Sequence, residues 1–419
     1  MFIKNLKLKN YRNYDDIEIS FDSNKILFIG KNAQGKTNLL ESIYYLSALD
    51  SLRAKSDNEL ISWGKDFCCI KAEINKFDVN TELEVYINPP SRKKLKVNGI
   101  NKSKSSEFIS NISTVSFTVN DLLLLRGTPE DRRKWLDVAI CQIFPAYIER
   151  LSKYNKVRIQ KNNYLKNLKG NINADSSMLD IWNEQLAITG SNIIFIRLNF
   201  LYEIQKIAMK KHKLIADNEE LSIIYNSTII DDITFSEKTN PISQSIAGSS
   251  SLSDCSSAKN TTGENILTTS IYNEFSSGNV TVEYISEKFK QKLNEKKYEE
   301  IVRAQSVIGP HRDDLSFYIN NIESKKFASQ GQQRTIVLSL KLAELQLIKE
   351  KINTNAILLL DDVLAELDDL RQNFLLDAIG DKTQTIITSV DTLHFKNEYL
   401  KDVEIFEIKD NKVIKNDGK

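Results

Sequence analysis

The chain has 419 residues, with 57 Lys and Arg against 56 Asp and Glu, so no global field attracts a polyanion and any nucleic-acid contact must use local patches. Apolar residues make up 41% of it, enough for two domains or one large domain with an insertion. Cys68, Cys69, Cys141 and Cys255 follow no metal spacing and no disulfide framework, and His212, His311 and His394 are isolated, which argues against zinc hydrolysis and for a reducing cytosol.

The opening MFIKNLKLKNYRNY is too charged and too alternating for a signal peptide. No apolar run is long enough to span a membrane. Residues 2–21 alternate as two strands, broken at the sequence NYRNY that starts at Asn10.

Residues 25–40, KILFIGKNAQGKTNLL, read as a buried strand, a glycine-rich turn and a helix. The turn is Gly30, Lys31, Asn32, Ala33, Gln34, Gly35, Lys36 and Thr37, a full match to GxxxxGK[ST]. Such a loop must wrap a phosphate closely enough for consecutive backbone N–H groups to point inward, and Gly30 and Gly35 permit that path. The helix that follows aims its positive end at the same phosphates. Lys36 would reach the β- and γ-phosphates and the Thr37 hydroxyl would hold Mg²⁺. Leu39, Ile43 and Leu46 repeat at helical spacing behind it.

Residues 70–97 read as further strands, with turns at Asn88-Pro89-Pro90 and Asn98-Gly99. Arg92, Lys93, Lys94 and Lys96 cluster there, as a solvated hairpin edge or as a DNA-backbone patch. From Thr128 to His212 the period becomes helical. Trp182, Leu186, Thr189, Ile193, Ile196, Phe200, Ile204 and Ile207 step by three or four, a stripe about 40 Å long. A partner helix lies near Tyr147, Leu151 and Tyr154, so the segment reads as an antiparallel helical arm. Its exposed face is expected to carry Arg150, Lys153, Lys156, Arg158 and Lys161, with Lys206, Lys210, Lys211 and Lys213 at the far end; this is either a solvated face or a DNA surface. Residues 236–278 are serine-rich and poor in charge and aromatics, and are expected to form a disordered surface insertion.

In FASQGQQRTIVLSLKLAE, residues 327–344, Ser329, Gln330, Gly331 and Gln332 open a helix. A small polar cap followed by glycine offers N–H groups and a positive helix end to an anion, or is an ordinary helix cap. Residues 355–362, NAILLLDD, form a buried strand ending in two carboxylates. There Asp361 would hold the Mg²⁺ shell, and Asp362 would orient or deprotonate an attacking water. This strand lies about 320 residues after the glycine-rich loop, too far for one compact nucleotide-binding fold, so the intervening chain must project outward.

These pieces together resemble the RecF family of bacterial recombination-repair ATPases, which are related to SMC proteins. The matching stretches are NYRNY at Asn10, GKNAQGKTNLLESIYYLS at Gly30, SLR at Ser51, RGTPEDRRKWLD at Arg126, IGPHRDDL at Ile308, FASQGQQRT at Phe327 and LLLDDVLAELD at Leu358. The resemblance implies an α/β fold: an ABC/SMC-type P-loop ATPase head with an inserted helical arm domain. The head would combine residues 1–125 and 283–419, the arm residues 126–235, and the Ser/Thr-rich insertion residues 236–282. It implies ATP and Mg²⁺ as cofactors, and a signature loop at Ser329, Gln330, Gly331 and Gln332 that touches the γ-phosphate held by the other subunit of an ATP-dependent homodimer. Arg12 resembles an arginine that lies near the phosphates in SMC-like heads. The implied partners are single-stranded and gapped duplex DNA, with RecR, RecO and RecA, in RecA loading and the SOS response. No membrane is involved, and the implied location is the cytoplasm, on the nucleoid.

Some positions depart from the family pattern. Phe117-Thr118-Val119-Asn120-Asp121 stands where Phe-x-Pro-Glu-Asp is usual, leaving Asp121 as the acid. The D-loop begins with Ala365 rather than serine, and no switch histidine follows Ile387, so Thr388 or Ser389 would sense the γ-phosphate. His311 and Arg312 read as catalytic groups or as a structural turn holding Asp313 and Asp314. The function expected is a slow DNA-stimulated ATPase switch in which Asp362 and Lys36 carry the chemistry. The alternative is an SMC-like structural DNA clamp with negligible hydrolysis. A transporter ATPase would be shorter and lack the arm, and a true SMC protein needs heptads over hundreds of residues.

Overall fold

The computed structural model describes residues 1–169, 177–230, 233–234, 280–380, 382–392, 395 and 402–416. The serine-rich stretch 236–278 lies outside the described residues. Among the described residues, sixteen strands form three sheets. They are β1 (Phe2–Tyr11), β2 (Tyr14–Ser20), β3 (Lys25–Ile29), β4 (Cys68–Lys76), β5 (Val79–Ile87), β6 (Lys94–Val97), β7 (Ile100–Lys102), β8 (Thr114–Thr118), β9 (Leu221–Asn226), β10 (Ile233–Thr234), β11 (Asp314–Ile319), β12 (Ile322–Glu323), β13 (Ile357–Asp361), β14 (Thr385–Ser389), β15 (Val403–Lys409) and β16 (Lys412–Asn416).

The central sheet runs β16-β15-β3-β14-β13-β8. All its strands are parallel except the antiparallel edge β16. Buried on both faces, such strands need continuous apolar runs rather than alternation. Ile26, Leu27 and Phe28 of β3, and Ile357, Leu358, Leu359 and Leu360 of β13, supply them. The order puts β14 between the strand that leads into the glycine-rich loop and the strand that ends in Asp361. Their registers, Thr388 beside both Phe28 and Asp361, align the three strand ends.

The second sheet is antiparallel, in the order β2-β1-β4-β5-β6-β7. In β1 the register slips between Ile3 and Asn5. That bulge lets Ile3 join Leu6 and Leu8 on the buried face although the spacing is uneven. Phe21, Phe28 and Phe406 close the space between these two sheets, with Phe21 edge-on to both other rings. A small third sheet has the order β10-β9-β11-β12.

The helices are α1 (Lys36–Ala48), α2 (Ser105–Ile109), α3 (Leu123–Arg126), α4 (Pro129–Ile143), α5 (Tyr147–Lys169), α6 (Ser177–Ile215), α7 (Val282–Glu295), α8 (Lys297–Arg303), α9 (Ser324–Phe327), α10 (Gln330–Ile352) and α11 (Asp369–Ala378). Helix α4 starts with a capping box between Thr128 and Asp131 and has a proline in its first turn. Helix α6 has 39 residues, so it runs about 58 Å, longer than its apolar stripe alone requires. It packs on α5, α7 and α10. Gly190 allows the α7 contact: a Cβ there would lie 2.5 Å from the Phe289 ring.

One residue of the arm sits elsewhere than its helical position suggests. Lys161 is not on the exposed face. It is fully buried, and its Nζ donates to Glu300 Oε2 of α8 at 2.6 Å. Glu300, also fully buried, accepts from the Val307 N–H at 3.1 Å through its other oxygen. The lysine is matched by a segment about 140 residues downstream, which periodicity within α5 does not reveal.

Candidate nucleotide site

The glycine-rich loop bridges β3 and α1 at the C-terminal edge of the central sheet, where open α/β sheets present ligand sites. Gly35 is the N-cap of α1 at φ 107°. A Cβ there would come within 2.5 Å of Asn13 Nδ2 and 2.6 Å of Tyr14 Oη, so the β1–β2 turn can rest directly on the loop. The Asn13 side chain donates to the Gln34 carbonyl at 3.3 Å and accepts from Asn38 Nδ2 at 2.6 Å. On the other side, the Asp410 N–H donates to Gln34 Oε1 at 2.8 Å. Lys31, Asn32 and Ala33 are exposed at the loop's tip.

The Lys36 side chain is buried, and its ammonium donates to the Gly30 carbonyl at 2.7 Å and the Lys31 carbonyl at 3.2 Å. The ammonium therefore lies inside the loop, held only by neutral acceptors. Thr37 Oγ1 donates to Asp361 Oδ1 at 2.9 Å. The same carboxylate oxygen accepts from Thr388 Oγ1 at 2.9 Å, and that hydroxyl accepts from the Asp362 N–H at 3.0 Å. Burial, with the neighbouring Asp362 charge, raises the Asp361 carboxyl above its ordinary range, against the pull of the two hydroxyl donors. A partly desolvated carboxylate beside a threonine hydroxyl is an oxygen-donor set suited to a hard divalent cation. Asp362 itself takes a left-handed backbone, φ 54°, which aspartate tolerates better than most residues.

Arg12 lies beside the loop but is committed to α1. Its Nε and Nη2 donate to the two oxygens of Glu41 at 2.9 and 3.0 Å, and Nη1 donates to the Glu59 carbonyl at 2.9 Å. Glu41 is fully buried and also accepts from Ser51 Oγ at 2.5 Å and Arg53 Nη2 at 3.3 Å. Burial alone would raise this carboxyl; the hydrogen bonds from Arg12 and Ser51 reverse that and hold it below the usual range. Glu41 is thus a hub joining NYRNY, α1 and the SLR stretch, and reasoning on the sequence missed it. The available signal was a carboxylate within the apolar run after Thr37. A cavity of about 940 Å³ opens beside this hub, lined by Arg12, Asn13, Asn38 and the fully exposed Trp63.

Ser329 is the N-cap of α10. Its Oγ accepts from the Gln332 N–H at 3.2 Å, and Gln332 Oε1 accepts from the Ser329 N–H at 2.8 Å. Gln332 Nε2 donates to Glu219 at 2.9 Å, and the Gly331 carbonyl accepts from Arg371 Nη2 at 3.2 Å. These partners belong to the third-sheet region and to α11, not to the glycine-rich loop. Ser329, Gln330 and the nearby Phe327 are exposed. In the D-loop, Asp368 caps α11, and Arg334 donates to the Glu366 carbonyl. Asp121 is spent internally, on the Thr118 N–H at 2.6 Å and on Lys341 at 3.4 Å.

The basic run near β6 is half consumed: Lys93 donates to Tyr45 Oη and the Leu49 carbonyl and pairs with Asp57, and Lys96 pairs with Glu84. The IGPHRDDL stretch forms a turn. Asp313 is buried and accepts from Tyr225 Oη and from the N–H and hydroxyl of Thr228, at 2.6 to 2.8 Å. Asp314 takes both Arg132 Nε and Nη2. His311 Nδ1 is 2.6 Å from Tyr154 Oη, and its Nε2 is 3.3 Å from the Ser306 carbonyl. Among the described residues no cluster of histidine, cysteine or acidic groups could hold a metal by itself, and no helix is long and apolar enough to cross a membrane.

Residues 2–414 match the family described as the RecF/RecN/SMC N terminal domain. The chain is 37% identical over 409 residues to the DNA replication and repair protein RecF of Bacillus thuringiensis (strain Al Hakam), with 97% of each chain covered. The same figures hold for the proteins of that name from Bacillus cereus (strain B4264) and Bacillus anthracis (strain A0248). A solved structure described as the recombination mediator protein RecF-ATP in the RecFOR pathway superposes with a TM-score of 0.80 at 29% identity, over 99% of this chain and 97% of that one. A second, described as RecF-ATPrS in the same pathway, gives a TM-score of 0.81 at 28% identity, over 99% and 98%.

Proposed function

Because the chain belongs to the RecF family within the RecF/RecN/SMC group, we propose that it is an ATP-binding switch of DNA replication and repair that dimerises on gapped DNA. The observation that carries the reading is the pair Thr37 Oγ1 and Asp361 Oδ1, 2.9 Å apart, which joins the glycine-rich loop to the strand-end acids. The residues present fit ATP and Mg²⁺. The backbone N–H groups of the loop and Lys36 would hold the phosphates, and Thr37 and Asp361 would hold the cation. Lys36 exchanges the Gly30 and Lys31 carbonyls for phosphate oxygens, trading neutral acceptors for charged ones. The cavity beside Trp63 and Asn13 supplies room for the base and ribose. A bound Mg²⁺ would supply charge neutralisation at the phosphates.

The cap at Ser329, Gln330, Gly331 and Gln332, exposed at its first two residues, supports a signature role toward the nucleotide of a second copy, since its own contacts lead away from the loop of the same chain. The head, on this reading, consists of residues 1–125 and 283–419, the arm of residues 126–235, and residues 236–282 are an insertion. RecO and RecR are the partners that the RecFOR pathway of the solved relatives supports; the reading adds RecA, with RecA loading and SOS induction as the outcome and the cytoplasm, on the nucleoid, as the place. Turnover separates a slow DNA-stimulated ATPase from an SMC-like clamp with negligible hydrolysis. The test measures mass by light scattering and affinity for gapped duplex, each with and without ATP and Mg²⁺. The switch reading expects a monomer that becomes a dimer with tighter DNA binding. Equal mass and equal affinity in both states would overturn it.

A further inference from the structure

A second cationic site lies away from the glycine-rich loop. Helices α4, α5 and α6 meet residues 308–314 around a cleft of about 460 Å³. Its lining brings Arg133, Lys134, Arg158, Arg197 and Arg312 together against two carboxylates, Glu130 and Asp137. Asp137 is already spent, since both its oxygens accept from Arg197 at 2.9 and 3.0 Å. Arg197 Nη1 donates to the Pro310 carbonyl, which leaves that guanidinium fully occupied. Lys134 is occupied by Asp50 and the Ser51 carbonyl.

Three arginines remain. Arg133 donates to the Asp313 carbonyl at 2.8 Å, a neutral acceptor, and shares the cleft with the Glu130 carboxylate. Neither Arg158 nor Arg312 has an ion-pair partner among the described residues, and Arg158 Nε is buried with no acceptor. A buried donor left without a partner is destabilising, and like charges gathered in a cleft add to that. His311 adds no charge to the floor. It accepts the Tyr154 hydroxyl proton at Nδ1 and gives its Nε2 proton to Ser306, and burial together with Arg158, Arg312 and Arg133 lowers its pKa to about 3.

What Arg158 and Arg312 lack is an oxyanion partner. A guanidinium fork matches a phosphate better than any other common anion except a carboxylate. Arg312 is exposed, so the site is open to a polymeric anion as well as to a small one, and the DNA-binding reading favours the phosphodiester. We propose that this cleft is a phosphate-binding site for the DNA backbone, in which Arg158 and Arg312 each hold a phosphodiester oxygen. The proposal rests on the DNA-binding part of the proposed function and adds the place.

The experiment measures binding of the full chain, with ATP and Mg²⁺, to a fluorescent gapped duplex over a range of salt. Arg312→Ala and Arg158→Gln should each weaken binding about fivefold to tenfold and make the log–log salt slope shallower by about one. Lys166→Ala, an exposed position on α5 outside the cleft lining, should change neither, and ATP affinity should stay at the wild-type value in all three. Arg312 is exposed, so its variant gives a reading even where Arg158→Gln fails to fold. Wild-type affinity and slope in both arginine variants would overturn the proposal, as would an equal loss in Lys166→Ala. In a parallel arm, inorganic phosphate is titrated against the melting temperature. Stabilisation that vanishes in Arg312→Ala while DNA binding is unchanged would make this a small-anion site and overturn the DNA assignment. Failure of the wild-type chain to bind DNA would instead remove the DNA reading as a whole.

Discussion

Thr37 and Asp361 stand 324 positions apart in the chain, and their side chains share a hydrogen bond of 2.9 Å. The bond exists because β3 and β13 flank β14 in one parallel sheet, with Thr388 contributing a second hydroxyl to the same carboxylate oxygen. Between the two residues the chain leaves the sheet, returns once as the edge strand β8, and leaves again before β13. The site depends on the return at β13, because neither half alone offers both a phosphate loop and a cation ligand.

Lys36→Met should remove ATP binding, lowering affinity by at least about a hundredfold, since two or more charge-assisted hydrogen bonds are each worth about 1.5–3 kcal/mol. Calorimetric titration with ATP and Mg²⁺ measures it. The variant also loses its bonds to the Gly30 and Lys31 carbonyls, so its melting temperature should be recorded alongside. Affinity within a few-fold of wild type would mean that the loop is not the phosphate site.

Much of the α/β head is legible in the sequence because its motifs are local. Ile26 to Thr37 encode strand, turn and helix within a dozen positions, and Ile357 to Asp362 encode a buried strand with acids at its end. Glu41 is not legible in that way. Its partners Arg12, Ser51 and Arg53 come from two segments outside α1, and only the folded chain brings them to one carboxylate. Lys161 shows the reverse case. Its neighbours on α5 suggest an exposed face, yet α8 covers it with Glu300. Helical period reports which side of a helix is apolar; it does not report what a distant segment lays over the other side.

Ser329→Arg should leave ATP binding intact while the chain stays monomeric with ATP and Mg²⁺, because the bulk and charge fall on an exposed cap. The same change removes the Ser329 capping box, worth about 1 kcal/mol, so a loss of mass could come from helix fraying instead. Ser329→Ala separates the two, since it loses the cap without adding bulk. Light scattering should find Ser329→Ala still dimerising and Ser329→Arg not. A dimer from Ser329→Arg would refute a signature contact at this residue.

The Lys161–Glu300 pair makes a stability prediction that is independent of nucleotide. Both side chains are fully buried. Lys161→Met leaves the Glu300 carboxylate without its counter-ion and should cost about 3–5 kcal/mol in denaturant unfolding. The double variant Lys161→Met with Glu300→Gln removes both charges and keeps an acceptor for the Val307 N–H, so it should recover most of that loss. If the double variant is as unstable as the single one, the pair contributes through packing rather than charge.

The last prediction concerns Asp362. ABC-type sites usually have glutamate there, and aspartate is shorter by one methylene. Its carboxylate therefore sits farther from an attacking water or acts through a second water. General-base help is worth a factor of about 10² to 10⁴, and imperfect geometry forfeits part of it, so turnover should be slow, suited to a timed clamp. Asp362→Asn is a clean test because asparagine also accepts the left-handed backbone found here, φ 54°. The Asp362 N–H bond to Thr388 Oγ1 survives the change, as does the Thr388 bond to Asp361. The variant should bind ATP, dimerise, fail to release phosphate, and stay on DNA longer than wild type after an ATP chase. Phosphate release and DNA dissociation are measured on the same samples. Phosphate released at the wild-type rate would exclude Asp362 as the base. His311 is then a poor substitute, because both its ring nitrogens are already engaged, by Tyr154 and Ser306, in a cleft that shares no lining residue with the cavity beside the loop.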